Sequence, residues 1–164
     1  MKTVYRILIA VVVPVLAAVL QMAAATALAI GPARPDILLT TIVCCAMQLD
    51  LPAAAAVGVW GGLLMATVVG VNFGSFLVSR SIAGVVGGWL GAQPIASATI
   101  AAVFATFAAT FLCEGAYYLM APAHRGLWWI ERVALEAVYN MLLSVPISLA
   151  LSKAGLRLKS ADGY

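Results

Sequence analysis

Long apolar stretches alternate along the chain with short breaks of Pro, Gly and charged residues. Cutting at these signals predicts six helical spans, at about 7–29, 36–47, 52–70, 75–90, 94–120 and 127–151. The first holds Pro14 and the last holds Pro146, and each is expected to kink its helix. The second is short for a full crossing. It follows Pro35, with Asp36 where an N-cap belongs. Pro52 suits the first turn of the third span. Val71 to Gly74 reads as a tight turn, and Pro122, His124, Arg125 and Gly126 read as a loop. Residues 153–164 form a basic tail after a single helical domain, 1–152. No tandem repeat or low-complexity linker interrupts it.

Composition agrees with this pattern. The 164 residues are 65% hydrophobic and 9% charged, with a mean hydropathy of +1.10. A soluble domain averages about 45–50% apolar and about 25% charged residues. A chain this small cannot hide such an excess in a core, which excludes a soluble or a disordered protein. Six spans with their turns use nearly the whole length. The expected fold class is therefore an all-α integral membrane protein, a compact bundle of six transmembrane helices with short loops. The start imitates a signal peptide, but the apolar run has no clear cleavage site and is read as a retained first span.

Charge sets the orientation. With six spans both termini share a side, which carries Lys2, Arg6, Lys153, Arg157 and Lys159. The other side carries Arg34 and Arg125. The positive-inside rule then places both termini in the cytoplasm, and Trp128 and Trp129 at the outer interface. No basic patch is large enough for nucleic acid.

Charges inside spans are costly and tend to mark function. Arg80, Glu114 and Glu136 qualify. At 1.5 Å per residue they lie roughly 9–14 Å below the outer ends of their helices, all in the outer half. An Arg between two carboxylates at one depth suggests a buried ion cluster. Arg132, Glu136, Asn140 and Ser144 form a polar stripe on the sixth span, and Thr110, Glu114 and Tyr117 or Tyr118 form one on the fifth. Arg80 shares a face with Gly84, Gly87, Gly88 and Gly91, and the third span has Gly58, Gly61 and Gly62. Such faces admit close helix packing, within the bundle or with a partner. The polar cluster is open to three uses: fixing helix register, forming a ligand or proton pathway, or meeting another membrane helix.

Catalytic signatures such as HExxH, GxSxG or a P-loop are absent, and no enzyme activity or cofactor is expected. Cys44, Cys45 and Cys113 fall in apolar runs and read as small core residues, without metal-ligand spacing. His124 reads as a solvated loop residue.

Three stretches carry a resemblance. The first is Arg34, Pro35, Asp36, Ile37, Leu38 and Leu39. The second is Gly58, Val59, Trp60, Gly61, Gly62, Leu63 and Leu64, leading to Gly70, Val71, Asn72, Phe73 and Gly74. The third is Leu135, Glu136, Ala137, Val138, Tyr139 and Asn140, with Pro146 beyond. From about Arg34 to Leu151 the chain resembles the MreD family of bacterial rod-shape-determining membrane proteins. It departs at Ala66, near where many relatives place an acidic residue. The resemblance implies a non-enzymatic scaffold in the bacterial inner membrane, within the cell-elongation machinery that builds peptidoglycan. The implied partners are an MreC-like single-span protein, a class B penicillin-binding transpeptidase and a RodA-type glycosyltransferase. The implied fold is similar to the substrate-binding components of energy-coupling-factor transporters. That similarity supplies an alternative: a small-ligand-binding transporter subunit with an outer-facing polar pocket.

Overall fold

The computed structural model describes residues 2–24, 26–31, 33–94, 97–121 and 128–154. Among them the chain forms six helices: α1 Lys2–Ala24, α2 Ile37–Ala46, α3 Leu51–Val69, α4 Phe73–Gly91, α5 Ala98–Met120 and α6 Trp128–Lys153. No strand forms among these residues; one isolated bridge joins Ile30 and Ala33. Five helices are long and apolar enough to cross a membrane, which makes this a multi-pass membrane protein. The loop at Pro122–Gly126, with His124 and Arg125, lies outside the described residues, as do Arg157 and Lys159 of the tail.

The remaining helix, α2, is the stretch the sequence marks as short for a full crossing. Its 10 residues rise about 15 Å, half of a hydrocarbon core about 30 Å thick. A helix ending at that depth needs protein around it, because its open N–H and C=O groups find no partner in lipid. The structure supplies that surround. Leu38, Ile42, Val43 and Ala46 of α2 have no exposed surface. α3, α4, α5 and α6 form a curved wall in which each packs on the next, and α1 closes on α2 and α3. Among the described residues α1 and α6 do not pack on each other.

Successive helices reverse direction. At one end the Arg6 guanidinium donates to the backbone carbonyl of Gln48, just past α2. At the other, Gln21 near the end of α1 binds Pro35 and Ile37 at the start of α2. Tyr118 near the end of α5 stacks on Trp129 at the start of α6, ring centroids 4.7 Å apart. α1 begins and α6 ends at the Arg6 end.

Several boundaries shift for local reasons. α1 ends at Ala24, not near 29, because Ile30 and Ala33 exchange backbone hydrogen bonds of 3.0 and 3.1 Å around Gly31. α5 starts at Ala98, not 94, where the Ser97 hydroxyl accepts the Ile100 N–H. Gly70 ends α3 at φ +77°, a left-handed conformation that glycine adopts without strain. α1 and α6 each run as one helix through Pro14 and Pro146.

The glycine faces serve the chain itself. A Cβ on Gly84 would lie 2.9 Å from the Cα of Gly58, and one on Gly62 would lie 2.8 Å from the Cα of Leu77. Gly58, Gly62 and Gly84 thus let α3 and α4 touch backbone to backbone, and Gly88 admits the Ala54 side chain. Gly87 and Gly91 admit the backbone of Val43 and Met47. Of the two uses open to these faces, packing within the bundle is the one that fills them here.

Candidate functional site

The site is built around the N-terminus of α2. A helix start leaves four backbone N–H groups without intrahelical partners. Here they are met by the helix's own N-cap and by side chains from two distant positions. The Asp36 carboxylate accepts the Leu39 N–H at 2.8 Å, closing an N-cap. Gln21 Oε1 accepts the Ile37 N–H at 2.7 Å, while its Nε2 donates to the Pro35 carbonyl at 3.1 Å. Asn140 Oδ1 accepts the Asp36 N–H at 2.8 Å, and Asn140 Nδ2 donates to Thr110 at 3.3 Å. α1, α5 and α6 are thereby joined to one turn of α2.

The second carboxylate oxygen of Asp36 takes the Arg80 guanidinium. Arg80 reaches it from α4 and is buried, with its guanidinium over the Phe76 ring, 6.0 Å from the centroid. The cluster that the sequence suggested around Arg80 gains a member it did not include, since the carboxylate hydrogen-bonded to Arg80 is Asp36. Glu136 is buried beside Arg132, four residues before it, at 3.8 Å. That separation is an ion pair but too long for a hydrogen bond.

Arg80, Glu114 and Glu136 nevertheless share one space. With Asp36, Arg34 and Arg132 they line a cavity of about 390 Å³ at the Asp36 end of the bundle. Tyr117, Met65 and Phe76 complete much of its wall. Asn72, at the left-handed turn before α4, donates to the Tyr117 hydroxyl at 2.9 Å and ties the rim together. Three groups on the walls keep unused hydrogen-bonding capacity. Arg80 Nε, Arg132 Nε and Glu136 Oε2 are buried atoms without a hydrogen-bond partner among the described residues. Cys44, Cys45 and Cys113 are all buried and free.

In the sequence Asp36 stands as an N-cap within the Arg34–Leu39 stretch, and Gln21 belongs to no motif. Both left a signal. A helix too short to cross must start inside the membrane, so a carboxylate at its start needs a buried cation. Gln21 is the sole polar side chain between Ile7 and Ala25.

Compared with known proteins, the chain matches no family model, no curated protein and no solved structure.

Proposed function

We propose that this chain is a non-enzymatic scaffold of the bacterial cell-elongation machinery, an MreD-like protein of the inner membrane with both termini in the cytoplasm. It would bind an MreC-like single-span protein and regulate a RodA-type glycosyltransferase paired with a class B transpeptidase. One observation carries this reading: the stretches behind the resemblance meet in space. Asp36 of the first stretch is bonded through its N–H to Asn140 of the third. Gly58 of the second lies against the backbone carbonyl of Arg80, the residue that pairs with Asp36. Motifs that converge on one buried node have a shared physical reason to occur together. Because the glycine faces are filled, a partner's span would rest on lipid-facing side chains such as Leu8, Val12 and Leu16 of α1.

Depletion of the protein in its own host tests this. Rod-shaped cells should swell and round up, and cell-wall incorporation along the side wall should fall. Unchanged shape and incorporation would remove the reading.

A second reading, a ligand-binding subunit of a membrane transporter, is favoured by one feature: the charged cavity at the Asp36 end.

A further inference from the structure

The charges around the cavity are balanced. Arg34, Arg80 and Arg132 face Asp36, Glu114 and Glu136, three guanidinium groups against three carboxylates. A ligand of one sign would meet its own sign on another wall. The unused capacity is also mixed. Arg80 Nε and Arg132 Nε are donors seeking an anionic oxygen, and Glu136 Oε2 is an acceptor seeking an N–H. Arg80 is 2% exposed and Glu136 is 5% exposed, so bulk water does not meet these needs freely. Leaving such groups unmet is costly in a low-dielectric site. The Arg132–Glu136 pair stands at 3.8 Å, beyond hydrogen-bond reach, so neither group meets the other's need.

Resting on the ligand-binding reading of this site, we propose that the cavity binds a zwitterionic group, an anionic oxygen and a primary ammonium carried on one small framework. The anion lies against Arg80 and Arg132, and the ammonium against Glu136. The volume of about 390 Å³ falls in the range of small-molecule sites, about 300–1,000 Å³. Met65, Val68 and Phe76 give the ligand's carbon framework an apolar wall. Two sources share this chemistry. One is the headgroup of phosphatidylethanolamine, entering from the bilayer where α1 and α6 stand apart. The other is a free amino acid entering from the aqueous end.

The full chain, in nanodiscs of phosphatidylglycerol alone, is titrated with alanine, with phosphoethanolamine, with inorganic phosphate and with ethylammonium. A parallel sample contains added phosphatidylethanolamine. Binding is read by thermal shift and by native mass spectrometry of retained adducts. The proposal expects a stabilising shift from a zwitterion and none from phosphate or ethylammonium. A shift confined to the phosphatidylethanolamine discs identifies the lipid, and one with free alanine or phosphoethanolamine identifies a soluble ligand. Glu136→Gln should weaken zwitterion binding about tenfold or more. Arg132→Gln, at a half-buried position, should do the same where Glu136→Gln fails to fold. Equal binding of phosphate alone would overturn the zwitterion while leaving a ligand site standing. No shift and no adduct with any probe would overturn both.

Discussion

Asp36 and Arg80 lie 44 positions apart in sequence and form an ion pair with both side chains buried. The Asp36 carboxylate has two tasks at once, capping α2 with one oxygen and neutralising Arg80 with the other. Removing one partner strands the other charge at membrane depth. Arg80→Gln or Asp36→Asn should each destabilise the fold by about 3–5 kcal/mol. The double variant should recover part of that loss. Unfolding in mixed detergent micelles checks this, and two additive single losses would show that the pair is uncoupled.

The close contact of α3 and α4 depends on missing side chains. Gly84→Ala places a Cβ 2.9 Å from the Cα of Gly58 and should cost about 1–3 kcal/mol through overpacking. Gly115→Ala meets nothing within 4 Å and should be neutral or stabilising by about 0.5–1 kcal/mol, because alanine suits a helix interior better. The same unfolding measurement compares them, and equal losses would contradict the packing described.

Gln21 binds the start of α2 from both sides of its amide. Gln21→Leu should leave the Ile37 N–H and the Pro35 carbonyl unmet, at a cost of about 1–3 kcal/mol. Hydrogen exchange at Ile37 and Leu38 should quicken well before exchange in α3. Unchanged exchange there would show that Gln21 is dispensable.

The five long helices were legible because length and hydropathy alone set a membrane helix. The turns were legible where Pro35, Pro52 and Gly70 constrain the backbone. The charged positions of the cavity were legible too, since Arg80, Glu114 and Glu136 stand out in apolar spans. Their pairing was not. Helical depth places residues along the membrane normal but says nothing of which helices are neighbours. α2 sits centrally, packed by every other helix, and so Asp36 reached Arg80 first. Half-length α2 also placed Asp36 within the bundle, where a full span would have left it at the surface.

Orientation is directly accessible because the native cysteines are buried. Val71→Cys sits exposed at the Asp36 end and Ala92→Cys sits exposed at the Arg6 end. The positive-inside rule predicts that a membrane-impermeant maleimide added to intact cells, with the outer membrane opened, labels Val71→Cys. Ala92→Cys should label only after the inner membrane is broken. The reverse pattern would invert the protein and turn the charged cavity toward the cytoplasm.

The proposed scaffold function stands or falls on what travels with the protein. The most direct measurement is gentle affinity purification of the tagged chain, at native abundance from its own host, followed by quantitative mass spectrometry. An MreC-like single-span protein should be enriched well above the background set by an unrelated tagged multi-span protein, with a class B transpeptidase and a RodA-type glycosyltransferase alongside it. If none of these is enriched, the chain is not a scaffold of the elongation machinery.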